Sequence, residues 1–286
     1  MSSPNPTITL LISCPDQPGI VARVSQFIFE HNGNICESDQ HSTDLHRGTF
    51  FMRISFAEDS FTLSPSELIN AFTPIAAAFD MNWSVHYSQQ RKRAALFASK
   101  LDHCLRDLLW RWSNDELTMD IPCIISNHRD LEPIAQSYDI PFACFPIHPE
   151  SRRKDQERIL EFLIGKVDML ILARYMQILD PLLVDAYPHQ IINIHHGFLP
   201  AFIGANPYQR AFDRGVKIIG ATAHYVTASL DEGPIIAQDV IQCNHRDSPA
   251  DLIRKGRDVE RRVLAEAVRL HIEDRVLVSH NKTIVF

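Results

Sequence analysis

The sequence predicts an α/β protein in two parts: a ferredoxin-like βαββαβ unit over residues 1–87, and a Rossmann-like domain with a mostly parallel sheet over residues 94–286. Three observations predict this. The first stretch carries two helical patterns among four β-rich runs, in the order β-α-β-β-α-β. The second repeats short apolar runs separated by helical stretches, the rhythm of a parallel sheet covered on both faces. Between them, residues 88–93 (SQQRKR) are polar and basic and read as a short linker.

Each element of the first unit has its own signal. Residues 7–13 (TITLLIS) are β-rich, and the turn CPDQPG follows at 14–19. Residues 20–31 show helical spacing, with Ile20, Val24, Phe27 and Ile28 on one face, and Asn32-Gly33 ends the helix. Residues 34–43 and 49–56 read as strands joined by a turn at 44–48 (DLHRG). Residues 64–79 read as a helix with Ser64 as cap and Pro65 in its first turn. Residues 83–87 close the unit with a strand.

In the second part, residues 94–98, 121–126, 142–146, 167–172 and 190–194 are the apolar runs, and 102–112, 130–138 and 152–165 the helical ones. Longer strands at 217–226 and 234–241 precede a long helix at 249–271, whose Leu252, Val259, Val263, Leu264 and Val268 share a face. The first strand-to-helix junction, residues 99–103 (SKLDH), contains no glycine, so neither a Rossmann nor a P-loop phosphate cradle is present there and a nucleotide enzyme is disfavoured.

Composition narrows the functional classes. The 286 residues are 45% hydrophobic and 22% charged, a globular balance long enough to bury a core. A net charge of -7 argues against nucleic acid as the main partner. Cys14, Cys36, Cys104, Cys123, Cys144 and Cys243 are scattered, with no C-x-x-C pair or zinc spacing, and read as buried free thiols of a reducing cytosol. No run approaches the roughly 18 apolar residues of a membrane span, and residues 1–6 lack a signal peptide's basic and apolar regions. The expectation is a cytoplasmic protein with no membrane partner.

The chemistry concentrates in residues 191–207 (IINIHHGFLPAFIGANP), where an apolar strand runs into a loop rich in Gly and Pro. Ligands of open α/β sheets bind beyond the carboxyl ends of strands. Side chains two apart share a strand face, so Asn193 and His195 point the same way. His196 points the other way if the strand continues, which makes the two adjacent histidines a poor metal site. An amide donor beside an imidazole suits a carbonyl on which negative charge develops. The same residues also suit a plain strand end with a satisfied structural histidine. Residues 220–236 (GATAHYVTASLDEGPII) place Asp231 between two strand-like runs. That carboxylate can pair with His195 and orient a water, or it can be an ordinary hairpin turn. Spacing alone does not bring it to His195.

Together these residues resemble the folate-dependent formyltransferase domain of glycinamide ribonucleotide transformylase and methionyl-tRNA formyltransferase. Asn193-Ile-His195, followed by Leu199-Pro200, matches that family's Asn-x-His, and Asp231 in LDEGPI matches its catalytic aspartate. In the family the three act together on a formyl group. Residues 172–179 (LARYMQIL) resemble its strand-to-loop segment that holds the folate ring, largely through backbone groups, which implies Met176, Gln177, Ile178 and Leu179 as folate contacts. A closer resemblance, over nearly the whole chain, is to the formyltetrahydrofolate deformylase family, which carries the same formyl domain behind an ACT domain. Residues 16–21 (DQPGIV) and 32–35 (NGNI) resemble the ACT signature, and 110–112 (WRW), 198–208 (FLPAFIGANPY) and 220–226 (GATAHYV) resemble this subfamily. One departure follows the two histidines, where the family pattern has serine and this chain has Gly197.

The resemblance implies hydrolysis of 10-formyltetrahydrofolate to formate and tetrahydrofolate, in one-carbon and purine metabolism. Asn193 and His195 would hold the formyl oxygen and Asp231 would position water. No metal and no cofactor are implied, the folate being the substrate. The missing glycine loop fits water as acceptor. The ACT unit implies a regulatory amino acid, methionine or glycine, near Asp16, Gly19 and Asn34, and a homo-oligomer assembled through both domains. Two rivals share these residues: a formyltransferase with an amine acceptor, and a non-catalytic amino-acid sensor.

Overall fold

In the computed structural model, which describes residues 5–44, 48–200 and 207–286, the first apolar run becomes β1 (Thr7–Pro15). It is followed by α1 (Ile20–Glu30), β2 (Ile35–Ser42), β3 (Thr49–Ala57), α2 (Pro65–Ala78) and β4 (Asn82–Tyr87). This is the expected βαββαβ order. The strands form an antiparallel sheet ordered β2-β3-β1-β4. The apolar β1 and β3 take the centre, while the polar β2 (ICESDQHS) takes an edge and stays largely exposed. Helix α1 buries the four residues its spacing selected, Ile20, Val24, Phe27 and Ile28. At the start of α2 the Ser64 N–H and hydroxyl both donate to the Glu67 carboxylate, at 2.9 and 2.6 Å, and Pro65 occupies the first turn. Edge-to-face rings, Phe27 on Phe72 and Phe72 on Trp83, tie both helices and β4 into one core. The turn expected at 44–48 falls mostly on residues 45–47, outside the described residues.

The second unit runs β5 (Arg93–Ala98), α3 (His103–Ser113), β6 (Asp120–Ser126), α4 (Glu132–Gln136), β7 (Phe142–Cys144), α5 (Arg152–Leu163), β8 (Met169–Leu172), α6 (Pro181–Ala186), β9 (Ile191–His195), α7 (Pro207–Arg214), β10 (Ile218–Tyr225), β11 (Ile235–Gln242) and α8 (Pro249–Ile272). A short hairpin, β12 (Val276–Ser279) and β13 (Lys282–Val285), ends the chain. The seven-stranded sheet is ordered β11-β10-β9-β8-β5-β6-β7. Its β5 to β9 pairings are parallel, and β10 and β11 add antiparallel strands at one side. The chain enters mid-sheet at β5, builds outward to β7, then returns to the other side at β8. The carboxyl ends of β5 and β8 therefore flank the reversal point where open sheets place their ligands.

Four local readings change. The short helices α6 and α7 and the final hairpin are new; each is too short to show a period. Arg93, assigned to the linker, begins β5, and its guanidinium grips both oxygens of Asp168 at 2.7 and 3.1 Å. The C-terminal residues do not all belong to the second unit. The chain groups as Met1–Gln90 with Glu273–Leu277 and Ile284–Phe286, and Arg91–Ile272 with Val278–Thr283. The cause is Arg53, buried on β3, which donates to the Asp274 and Glu273 carbonyls at 3.0 and 3.4 Å, with Arg275 meeting Glu37. Finally, all six cysteines are free, but Cys36 lies exposed on the edge strand β2 and Cys144 is only partly covered on β7, so not all are buried. No helix among the described residues is long and apolar enough to cross a membrane.

Candidate active site

Strand β9 is buried mid-sheet, and its alternation sets Asn193 and His195 on one face. Its neighbour β10 runs antiparallel and pairs His224 with Asn193 and Thr222 with His195. The chain then turns back between β10 and β11, and this turn carries Asp231 to His195: Asp231 Oδ2 lies 3.1 Å from His195 Nδ1. Spacing left this contact open; the hairpin makes it. Asp231 adopts a left-handed φ of 56°, a conformation Asp tolerates better than most residues. Two residues on, Gly233 lies so close to the chain that an added Cβ would stand 1.8 Å from the Tyr225 carbonyl oxygen.

His224 was not singled out from the sequence. Its Nδ1–H donates to the Tyr225 carbonyl at 2.9 Å. In the neutral ring that leaves Nε2 to accept from the Asn193 amide at 3.2 Å. Asn193 keeps a second N–H for a ligand. His224 Nε2 also stands 3.6 Å from Asp231 Oδ1. Strand alternation from Thr222 and the contents of GATAHYV were the available signals. The hydrogen bond from His195, then the neighbouring His224 imidazole, holds the Asp231 carboxyl well below the usual carboxylate range, so it is anionic at neutral pH. His195 Nε2 is buried and has no hydrogen-bond partner among the described residues.

These groups line a cavity of about 530 Å³. Its opposite wall is the segment after β8, including Met176, Gln177, Ile178 and Leu179. Two buried side chains hold that segment in place. The Ser99 hydroxyl accepts from Met176 N–H at 2.9 Å and donates to Asn127 Oδ1 at 2.7 Å. The Gln156 amide, 1% exposed, donates to the Ile178 carbonyl at 2.8 Å and accepts from Asp180 N–H at 2.6 Å. The Met176 and Ile178 side chains remain more than half exposed, an apolar lip for a flat ring.

His196 does not point away. Strand β9 stops at His195, and His196 lines the same cavity, its ring 5.4 Å from that of His195. Burial, then the charge of Arg174, pushes its pKa down from 6.5 to about 4. The unfolded ring keeps its ordinary affinity, so between those values the unfolded state binds more protons. Stability is complete above pH 6.5 and falls as pH drops toward 4. The expected loss is about 2 kcal/mol at pH 5 and on the order of 3 kcal/mol at pH 4. Urea midpoints at pH 7 and pH 5 check this: His196→Gln should lose markedly less between the two than the parent does.

Beyond His196, Leu199 N–H donates to Thr222 Oγ1 at 3.0 Å and the Thr222 hydroxyl donates to the Gly197 carbonyl at 2.9 Å, which pins the strand exit. Of the 198–208 segment, residues 201–206 lie outside the described residues. The three residues expected to hold an amino acid are not together in one chain. Asp16 and Gly19 lie at the Pro15 end of β1, where Asp16 accepts from Ser42 Oγ at 2.5 Å and donates its N–H to Gly48. Asn34 sits beside Ala57, which pairs with Thr7 at the other end of β1.

Comparison with known proteins agrees with this architecture. Residues 92–268 match the Formyl transferase family and residues 8–62 the ACT domain. A formyltetrahydrofolate deformylase of Synechocystis sp. is 55% identical over 99% of this chain and 99% of its own length. One from Bacillus subtilis is 52% identical over 97% of this chain and 93% of its own. The crystal structure of a formyltetrahydrofolate deformylase from Pseudomonas syringae pv. tomato superposes with a TM-score of 0.97 at 50% identity, covering 100% of this chain and 96% of that one. With both domains matched in order and half the residues shared along the full length, the chain belongs to the formyltetrahydrofolate deformylase family.

Proposed function

We propose that this protein hydrolyses 10-formyltetrahydrofolate to formate and tetrahydrofolate, with Asn193, His195 and Asp231 as its catalytic residues and without a metal or other cofactor. The observation that carries the reading is their convergence with residues 176–179 on one cavity. Asp231 accepts from His195 Nδ1, which leaves Nε2, without a hydrogen-bond partner among the described residues, for the substrate. The free Asn193 N–H and, on the doubly protonated ring that the Asp231 anion supports, His195 Nε2–H donate to the formyl oxygen and stabilise it as the tetrahedral oxyanion forms. The ionised Asp231 orients the attacking water and takes up its proton, which then passes to N10 as the C–N bond breaks. Met176, Gln177, Ile178 and Leu179 seat the pteridine ring. Release of formate from 10-formyltetrahydrofolate in buffer without any amine is the deciding measurement; turnover only with an added amine would make the protein a formyltransferase instead.

The ACT unit reads as a regulatory site for a small amino acid, methionine or glycine, in a cytoplasmic homo-oligomer. Asp16 and Gly19 are separated from Asn34 by the length of β1, roughly 25 Å. They meet only if two copies set their sheets side by side in opposite directions, so the effector site would need an oligomer. A scan of amino acids for changes in formate release is expected to single out methionine or glycine. Asp16→Ala should abolish that response while basal turnover stays; uniform silence across the scan would leave the unit an assembly role only.

A further inference from the structure

Arg174 follows β8 at a left-handed φ of 65° and is 8% exposed. An arginine stays charged in any protein environment, so its buried N–H groups need acceptors. Its nearest carboxylate is Glu260, 3.4 Å from Nε. That carboxylate is already engaged: Oε1 accepts from the Tyr208 hydroxyl at 2.6 Å and Oε2 pairs with His103 Nε2 at 2.7 Å. Tyr208 cannot move away easily, because it packs directly on Gly256, where an added Cβ would lie 2.0 Å from its hydroxyl. Arg174 Nε and Nη1 consequently have no hydrogen-bond partner among the described residues.

This guanidinium stands at a junction. It lines the cavity of Asn193, His195 and Asp231. It also lines a second cavity of about 520 Å³, bounded by Leu101, His103, Tyr208, Gln209 and Arg257. His196 is the other residue common to both. A planar carboxylate fits a guanidinium fork with two parallel hydrogen bonds. The amide hydrolysis proposed above creates such a carboxylate as formate, beside the anionic Asp231, which repels it.

We propose that Arg174 is a carboxylate-binding site that draws newly formed formate away from Asp231 and toward the second cavity. The inference rests on the deformylase reading for the origin of the formate, but the binding itself does not. Formate binds the resting enzyme at millimolar concentration, as suits a product that must leave. The folate's own glutamate carboxylates share this chemistry and are the competing source.

The test is line broadening of ¹³C-formate on the folate-free enzyme at constant ionic strength, with inhibition of turnover by formate measured alongside. Arg174→Lys keeps a charge but loses the fork, and is expected to weaken formate binding about tenfold. Tyr208→Phe releases Glu260 to compete for Arg174 and should weaken it in the same direction. Chloride should not displace the formate. Equal formate affinity in Arg174→Lys would overturn the proposal. So would displacement by chloride at matched concentration, or a change confined to the affinity for glutamylated folate. Absence of turnover by the parent enzyme would count against the deformylase reading alone, since formate binding is read without it.

Discussion

Asp231→Asn and His195→Ala are each expected to lower kcat by about two to four orders of magnitude, with folate binding retained. Asparagine conserves the volume of Asp231 and removes its charge. The anion beside His195 Nδ1 is lost, and with it the proposed acceptor for the water's proton. A neutral amide also no longer supports the doubly protonated His195 ring whose Nε2–H donates to the formyl oxygen. His195→Ala removes the buried, unpartnered nitrogen of a ring that lines the cavity and leaves Asp231 with His224 at 3.6 Å as its remaining imidazole neighbour. Because the two side chains act as a pair at 3.1 Å, the double variant should be little worse than the poorer single one. Single-turnover release of formate, with folate affinity measured by fluorescence, separates the chemical step from binding. Parent-like rates in either variant would remove that residue from the catalytic assignment.

Gly233→Ala is expected to damage both stability and turnover, although Gly233 supplies no side chain to the reaction. Its Cβ would stand 1.8 Å from the Tyr225 carbonyl oxygen, a backbone atom that cannot rotate away, and 3.2 Å from Thr227. The same backbone holds the Tyr225 N–H to the Pro234 carbonyl at 2.9 Å and follows His224 by one peptide. Relief of the clash must open the β10–β11 turn, and Asp231 rides on that turn. Overpacking of this kind costs about 1–3 kcal/mol, which lowers Tm by several degrees in a chain of this size. A displacement of Asp231 by about 1 Å is enough for a hundredfold fall in kcat. Thermal unfolding and steady-state rates read the two effects separately. Gly233→Ser should behave alike, because the obstruction is the Cβ itself. An alanine variant with the parent's Tm and kcat would show that the turn can shift without moving the carboxylate.

Much of the architecture was legible because periodicity is local. The four residues α1 buries, the Ser64 start of α2 and the apolar strands of the central sheet all follow from spacing and caps within about a dozen residues. The same alternation placed Asn193 and His195 on one face. Helices α6 and α7 were not legible, being six and eight residues long. The direction of His196 was open for a different reason: it depended on the strand continuing, and β9 ends at His195.

The sequence by itself determined the two-part α/β organisation, the pairing of Asn193 with His195, and, through resemblance, the identity of the third candidate, Asp231. Each depends on the order of residues along the chain. Tertiary structure alone decided that Asp231 reaches His195, that His224 accepts from Asn193 and that Ser99 and Gln156 clamp the wall at 176–179. It also decided that Arg174 is buried beside a carboxylate already occupied. These are contacts across strands and between helices and loops distant in sequence. They are set by which strands become neighbours when the sheet reverses direction at β8, and neighbour relations of that kind carry no local period to read.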